Sequence, residues 1–551
     1  MCIRDSSHND SEVVSAIQST IAVLAINKDV DLDVPWETNE ANRSSLVSEV
    51  DPSWSRVHVK VNMNREDSKV LLKDIYQEIE LPEDAPDGME KYLTDNLAID
   101  ITFDLVLKDE LLRAELISAP LTIIILLFVF GTVVSAGLPA LSGIYTVIAA
   151  VGIIHGLTYI VDDLTVYAVN IVSLLGIGLS VDYSLFIVNR FREEMGRGHD
   201  KRVAIAMTSA TAGRAILFSG LTVVAGLTGM LFFENTGLPS LGWGGICATL
   251  VALTSSVILL PSILAILGER INSLKVPFGL STEVSDDGFW SDLAKRVMER
   301  PFSFLVPSVL ILLAAGAPFL QAEWGITSWR ALSPDNEARS GMELTDEKWP
   351  LEVSNTALVV YEIQPGTDVF SEENIRQLHS FSKDILEIEG ANYVFTYAHF
   401  NSTWTEDEVV NFWDSSGDED LPPEQAASLQ MNRSVYSATV GDGVVIVRVA
   451  IEGDQSSESS REVVQQIRNL ESKEGQFGEG SEVNVAGFAA YNQDVLDAVK
   501  ENLPIALMFI LASSYLLIFL QVRSVVLPLN CLLYTSPSPR DLSTSRMPSS
   551  A

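Results

Sequence analysis

The stretch SVDYSLFIVNRFREE, Ser180–Glu194, places a carboxylate inside an apolar run and closes with a group of charges. The run that contains it, residues 169–188, has the length of a helix that crosses a membrane, which needs about 20 mostly apolar residues. A charged side chain at the centre of such a helix costs roughly 2.5–3.5 kcal/mol on insertion scales, so acids found there usually serve a function. Asp182 is therefore the first candidate for a functional residue.

The chain is both strongly hydrophobic and strongly acidic. The chain has 551 residues, is 47% hydrophobic and has a formal net charge of -37. The two properties agree if the apolar residues lie in membrane spans and the acidic residues in water-exposed domains. The negative charge argues against nucleic acid as a partner. Three cysteines, Cys2, Cys247 and Cys531, give neither a disulfide framework nor a thiolate metal site.

Seven segments are apolar enough to cross a membrane: residues 117–136, 138–160, 169–188, 216–233, 241–267, 302–319 and 503–520. Lysine and arginine are concentrated in two of the connecting segments, 189–215 and 268–301, whereas the loops 161–165 and 234–240 contain neither. Because basic loops stay on the cytoplasmic side, we expect the acidic segments at 7–115 and 321–500 to lie outside.

The second acidic segment predicts two strand–helix–strand units, which is the ferredoxin-like pattern. Its predicted strands cover 357–363, 393–400, 443–451 and 483–488, and its predicted helices cover 371–388 and 457–472. The first acidic segment predicts one such unit, with a strand over 56–63, a helix over 67–80 and a closing strand over 98–107.

An internal repeat links the two halves of the chain. Asp109–Leu141 and Asp494–Leu529 each enter a span through a proline, Pro120 or Pro504. Such repeats are typical of transporters built from two similar halves. The separation of Pro120 and Pro504 along the chain, added to the position of Asp182, gives a position beyond the last residue. The counterpart of Asp182 would lie there, so we expect the chain to be the middle of a longer protein. The ends, MCIRDS at 1–6 and residues 531–551, differ from the rest in composition and are expected to be foreign sequence.

The segment GIGLSVDYSLFIVNRFREEMGRGHDKRVAIAMTSATAGRAILFSGLTVVAGLTGMLFF, Gly176–Phe233, resembles the MMPL (mycobacterial membrane protein large) transporters of the resistance–nodulation–division (RND) superfamily. The resemblance continues over Gly237–Pro277 and covers about residues 7–530. It implies a polytopic α-helical membrane protein of the RND type with extracytoplasmic α+β ferredoxin-like porter domains. Members have twelve spans, and this chain would carry spans two to eight.

The resemblance and the hydropathy pattern together define an expected layout. Its parts are foreign sequence at 1–6, a partial first porter domain at 7–115, five spans at 116–268, a cytoplasmic loop at 269–300, a span at 301–320, the second porter domain at 321–500, a span at 501–522, the start of a cytoplasmic loop at 523–530 and a foreign tail at 531–551.

The resemblance implies a proton relay formed by three residues. Burial disfavours a charged carboxylate, so a carboxyl at Asp182 can take up and release a proton. Tyr183 would hydrogen-bond to the matching aspartate of the other half, and Ser219, in LFSGLT, would lie beside the relay. Structural roles remain as alternatives: a paired acid, a packing aromatic ring and a hydroxyl bonded to its own helix. The charges that follow, Arg190, Arg192, Glu193 and Glu194, are expected to end the span and begin an interfacial helix.

These observations predict a secondary active transporter, not an enzyme: a proton-motive-force-driven exporter of lipids or other hydrophobic molecules. The expected location is the inner (plasma) membrane, and the expected partners are protons and a lipid or hydrophobic small molecule. No cofactor, metal or nucleic acid is expected, and oligomer formation is left open. The alternatives are a protein-export accessory like SecD/SecF and a non-transporting sterol or lipid sensor. An Asp-Tyr pair in the second half would favour transport, and its absence would favour sensing.

Overall fold

A computed structural model provides the coordinates of the chain. It describes residues 2–4, 11–25, 27–37, 46–48, 50–161, 164–276, 289–322, 325–349, 354–362, 368–414, 429–430, 433, 437–441, 444–471 and 482–526. The expected foreign tail, the end of the loop at 523–530 and most of 1–6 lie outside these residues, as does the middle of the loop at 269–300.

The chain divides into two compact units, Met1–Leu112 with Phe319–Asp494 and Arg113–Pro318 with Val495–Ala551. The helices are α1 (Ser11–Ala25), α2 (Arg65–Ile75), α3 (Asn96–Phe130), α4 (Val133–Leu157), α5 (Tyr167–Gly196), α6 (Lys201–Phe232), α7 (Leu238–Asn272), α8 (Phe289–Glu299), α9 (Pro301–Gln321), α10 (Glu337–Lys348), α11 (Glu372–Leu386), α12 (Glu406–Trp413), α13 (Glu458–Glu471) and α14 (Phe488–Val522). Seven of them, α3 to α7, α9 and α14, are long and apolar enough to cross a membrane, which confirms the number of spans expected for the described part of the chain.

The strands form three sheets in the first unit. They are β1 (Cys2–Arg4), β2 (Val30–Asp33), β3 (Trp54–Arg56), β4 (His58–Val61), β5 (Glu90–Tyr92), β6 (Thr356–Glu362), β7 (Ala391–Phe395), β8 (Val444–Ile451) and β9 (Glu482–Ala486). Strand β1 pairs with β3 and β5, and β2 pairs with β4. The other four strands form one antiparallel sheet in the order β7-β8-β6-β9.

That four-stranded sheet confirms the ferredoxin-like pattern expected for the second acidic segment. In chain order its strands lie 2-3-1-4, with helix α11 after the first and α13 after the third. Alternate residues of β6 are buried, so one face of the strand enters the core, as the period of two requires. The core contains Val359, Phe381, Val447 and Val464. The predicted strand at 393–400 ends at Phe395, because the next residues form a tight turn closed by Thr396 and His399.

Two buried histidines lie in this core. His379 donates from Nδ1 to the carbonyl oxygen of Ala398 over 2.9 Å, and its ring centroid is 5.2 Å from that of His399. Burial is the main cause that lowers the pKa of His399 from 6.5 to about 4, and His379 and Lys383 add to it. The folded protein therefore binds a proton at His399 less readily than the unfolded chain does.

The stability of the chain should consequently decrease in acid. We expect it to be highest above pH 6.5 and to fall by up to about 3 kcal/mol as the pH decreases towards 4, since only the unfolded chain gains the proton in that window. His399→Asn should remove this part of the pH dependence. Thermal unfolding of the full chain in detergent, followed by tryptophan fluorescence, measures the slope. His155→Asn, at an exposed position, is the control, and equal slopes for wild type and His399→Asn would contradict the assignment.

The prediction of a closing strand over residues 98–107 is wrong, because helix α3 begins at Asn96 and includes these residues. Their alternation of apolar and polar residues resembles a strand, yet Asp100 and Asp104 also stand four residues apart, on one face of a helix. That face meets α2: Arg65 lies 2.5 Å from Asp100, and Lys69 lies 3.1 Å from Asp104. Charge pairing between two helices therefore replaces the expected sheet edge.

The first predicted span, residues 117–136, is divided between two helices. Helix α3 ends at Phe130 because Gly131 adopts a φ of 65°, a conformation that favours glycine. The carbonyl oxygen of Gly131 accepts from the backbone N–H of Val276 over 2.9 Å, and the N–H of Val133 donates to Leu274 over 3.1 Å. The connection between α3 and α4 is thereby fixed to the segment that follows α7.

Helices α4, α5 and α7 pack together as the centre of the second unit. Small residues allow the close approach, as in other membrane bundles. The tightest contact is at Gly244 of α7, where an added Cβ would lie 2.4 Å from the carbonyl oxygen of Ala168 and 3.0 Å from its Cα. Both are backbone atoms of α5, so neither can move away without shifting a helix.

Gly244→Ala should therefore destabilise the bundle by about 3 kcal/mol, near the upper end of overpacking costs. The midpoint of thermal unfolding in detergent measures the effect. Gly152→Ala on α4 is the matched control, because no atom lies within 4 Å of its added Cβ. Equal midpoints for the two variants would contradict the assigned contact between α5 and α7.

Candidate functional site

Helix α5 carries Asp182 and Tyr183 within a continuous run of helix. The side chain of Tyr183 is buried and packs with Leu253 and Ile187 in the largest apolar cluster of the second unit. Asp182 is exposed. The two neighbours therefore have opposite environments, a packed phenol ring and an accessible carboxylate.

Ser219, on helix α6, completes the group that the sequence predicts. The next residue, Gly220, lets α6 approach α5 closely: an added Cβ would lie 3.5 Å from the Tyr183 hydroxyl and 2.9 Å from Cδ1 of Leu253. The Tyr183 hydroxyl lies beside Ser219 and within electrostatic range of Asp182. It has no hydrogen-bond partner of normal geometry in the described part of the chain. The structure thus brings Asp182, Tyr183 and Ser219 together.

This group contains side chains that can exchange protons and hydrogen bonds. A carboxylate accepts a proton, and the phenol and the hydroxyl can each donate one hydrogen bond while accepting another. The unpaired hydroxyl of Tyr183 leaves room for such an exchange. Within the described residues, no cluster of three or more histidine, cysteine, aspartate or glutamate side chains is placed to hold a metal ion.

The charged residues that follow the apolar part of α5 form a group of ion pairs around a buried carboxylate. Helix α5 continues to Gly196, and the side chain of Glu194 is fully buried. Its carboxylate lies 2.6 Å from Arg190, 2.9 Å from Arg197 and 2.8 Å from Nδ1 of His199. Sequence reasoning missed this buried acid, although the spacing of the two arginines, four residues before and three after, places all three on one helical face.

Arg192 is a second contact that the sequence did not reveal. Its Nε donates to Oδ1 of Asn272 over 2.9 Å, and one of its terminal nitrogens donates to the carbonyl oxygen of Phe130 over 2.8 Å. A single guanidinium therefore joins α5 to the ends of α3 and α7. This contact holds the ends of the three spans together.

An apolar helical bundle with an acid, a phenol and a hydroxyl grouped on two of its spans, together with a ferredoxin-like sheet in the other unit, defines a polytopic membrane protein of the RND type. The profile of the MMPL family matches residues 3–304 and 408–535. The chain belongs to this family of membrane transporters.

Several curated relatives are mycobacterial lipid exporters. The chain is 28% identical over 453 residues to the trehalose monomycolate exporter MmpL3 of Mycolicibacterium smegmatis, which covers 77% of the chain and 40% of the relative. It is 26% identical over 493 residues to the mycolic acid-containing lipids exporter MmpL11 of the same organism, covering 87% of the chain and 46% of the relative. The chain thus spans somewhat less than half the length of these relatives.

Among solved structures, the chain is similar to SecDF in its super-membrane-facing form. The sequences are 14% identical, the TM-score is 0.37, and the match covers 77% of this chain and 44% of the SecDF chain.

Proposed function

We propose that this chain is part of a secondary active transporter that exports a lipid and is driven by protons through Asp182. The observation that carries the proposal is the grouping of Asp182, Tyr183 and Ser219 on two spans of a chain from a transporter family. Acids within membrane spans mark proton and ion pathways in general, which supports a transport role over a structural one.

The names of the relatives support an amphiphilic lipid as cargo. One exports trehalose monomycolate and another exports mycolic acid-containing lipids. We propose that the protein containing this chain takes a cargo of the same class, with a polar head and one or more long acyl chains. The proposal concerns the whole protein, because the chain covers less than half of each relative.

The proposed orientation follows from the charged loops. Among the short segments between spans, 189–215 and 268–301 are rich in lysine and arginine, and the loops 161–165 and 234–240 hold none. We place the basic loops in the cytoplasm and the ferredoxin-like domain outside the inner membrane. The expected layout, with porter-domain residues at 7–115 and 321–500, forms part of this proposal.

Protonation of Asp182 would drive the transport cycle by changing which helix packing is favoured. A charged carboxylate needs water or hydrogen-bond donors around it, whereas the neutral acid tolerates apolar neighbours. Tyr183 and Ser219 supply hydroxyl groups from the two helices that meet there. Helices α5 and α6 would then have two preferred arrangements, one for each protonation state, which is the two-state element that coupling requires.

Lipid movement with and without a proton gradient tests the proposal. The product of the complete coding sequence, recovered from the source DNA, is reconstituted in vesicles with a fluorescent 6-acyl trehalose as the probe. We expect movement of the probe between leaflets to accelerate when a gradient is imposed and to return to the basal rate when a protonophore is added. Movement equal to that in protein-free vesicles, or movement unaffected by the protonophore, would contradict the proposal.

A further inference from the structure

Four buried hydroxyl groups form a connected network in the centre of the second unit. The Oγ of Ser142, on α4, lies 2.8 Å from that of Ser180 on α5 and 2.9 Å from that of Ser255 on α7. The Oγ1 of Thr146, on α4, donates to Ser180 over 3.0 Å. All four side chains are at most 7% exposed. The network therefore crosses all three central helices within the membrane bundle.

Three further buried hydroxyls of these spans and of α6 have no partner in the part of the chain that the structure describes. They belong to Ser184, Ser256 and Thr208, and none of these residues is more than 2% exposed. Ser184 stands one turn after Ser180 on α5, and Ser256 follows Ser255 directly.

The missing bonds are unusual because serine and threonine in a helix normally donate to the carbonyl oxygen four residues earlier. Other residues of these same spans do so: Thr222, Thr249, Thr254 and Ser262 donate over 2.7 to 2.9 Å. Ser184, Ser256 and Thr208 do not, so their hydroxyls are available to a partner other than their own helix.

Two π-helical turns include or adjoin two of the unpaired hydroxyls. One covers Ser209–Gly213 of α6, directly after Thr208, and the other covers Ser255–Leu259 of α7, which includes Ser256. The two turns contact each other, and both contact α5, the helix of Ser184. Single π turns in helices are frequent at functional sites.

The unpaired hydroxyls lie between the Asp182 site and the basic loops. Ser184 precedes Arg190 by six residues, or about 9 Å of helix, and Thr208 follows Lys201 by seven residues, or about 10 Å. Ser184 also follows Tyr183, whose hydroxyl is unpaired as well. Buried polar groups without a protein partner are usually satisfied by internal water.

We propose that Ser184, Ser256 and Thr208 line a chain of buried water molecules that carries protons between the Asp182–Tyr183 site and the side of the basic loops. The inference deepens the proposed function and rests on it for the direction and purpose of proton movement. At each step one O–H bond forms on the accepting oxygen while another breaks on the donating oxygen, so that one proton advances and each hydroxyl is restored. The bonded network of Ser142, Ser180 and Ser255 fixes the walls around this path.

Reaction of substituted cysteines with silver ions, which travel through narrow water-filled paths, tests the chain of water directly. The background carries Cys2→Ser, Cys247→Ala and Cys531→Ser in the full chain embedded in membrane vesicles. Ser184→Cys and Ser256→Cys should react at least about tenfold faster than Ile187→Cys, because thiolate formation and metal capture require contact with water. Ile187 is the control: it is fully buried and closer to the basic end of α5, but it packs in the apolar cluster. Rates equal to that of Ile187→Cys would overturn the proposal.

Proton flux gives a second measurement that does not depend on the cysteine variants. In the product of the complete coding sequence, the double change Ser184→Ala and Ser256→Ala should remove most of the flux, whereas Ser262→Ala, at an exposed and internally bonded hydroxyl, should not change it. Undiminished flux in the double variant would overturn the path.

The two proposals can fail separately. If the cysteines react but Asp182→Asn leaves the proton flux unchanged, only the relay at Asp182 is overturned. If the cysteines do not react but Asp182→Asn abolishes the proton flux, only the water path is overturned.

Discussion

Replacing Asp182 with Asn should reduce gradient-driven lipid movement to the level of protein-free vesicles. Asparagine preserves the size of the side chain and one acceptor oxygen, but it cannot take up and release a proton. Without a titrating group beside Tyr183 and Ser219, the gradient no longer favours one packing of α5 and α6 over the other. The measurement is the rate at which the fluorescent 6-acyl trehalose changes leaflet under an imposed gradient.

Asp109→Asn is the matched control for this prediction. Asp109 is an exposed acid in the part of α3 that belongs to the first unit, far along the helix from its apolar window, and its loss should leave the rate unchanged. Tyr183→Phe should lower the rate without abolishing it, since water can replace one hydroxyl in a proton-transfer chain. A rate for Asp182→Asn equal to that of wild type would show that the carboxylate is structural, and the sensor alternative would then gain support.

Replacing the buried acid at the end of α5 should strongly destabilise the chain. Glu194→Ala removes the buried carboxylate that Arg190, Arg197 and His199 share and leaves the two guanidinium groups beside the more exposed carboxylate of Glu193. Removing one member of a buried ion pair typically costs 3–5 kcal/mol, and because the arginines retain partial exposure we expect about 3 kcal/mol. The free energy of unfolding, measured by denaturant titration in mixed micelles, gives the value.

Glu193→Ala provides the comparison for Glu194→Ala. Glu193 pairs with the same two arginines, at 2.8 Å and 2.5 Å, but its side chain is 42% exposed. Exposed ion pairs contribute at most about 1 kcal/mol, so its loss should be small. If the two alanine variants unfold at the same denaturant concentration, the burial of Glu194 has no energetic consequence and the assigned role is wrong.

The elements with a strong periodic signal could be predicted from the sequence. Seven long apolar runs give seven helices, because a lipid environment permits little else. The four strands of the ferredoxin-like sheet were predicted within a few residues, and β6 and most of β8 show the expected alternation of buried positions. The grouping of Asp182 with Tyr183 follows from adjacency, but the position of Ser219 beside them came from the family resemblance.

Features that depend on contact between distant elements could not be predicted. Residues 98–107 fit both a strand and a helix, and only the pairing of Asp100 and Asp104 with α2 selects the helix. The hydroxyl network joins Ser142, Ser180 and Ser255, which lie on three helices, and no spacing in the sequence relates them. The burial of Glu194 likewise depends on how the ends of neighbouring spans pack.

Direct measurement of proton flux tests the central claim most closely. The product of the complete coding sequence is reconstituted in vesicles that contain a pH-sensitive dye, a proton gradient is imposed, and dye and lipid signals are recorded together. We expect proton flux above that of protein-free vesicles, accompanied by movement of the acyl trehalose and lost together with it in Asp182→Asn. Lipid movement without accompanying proton flux would contradict the claim that a proton at Asp182 drives export.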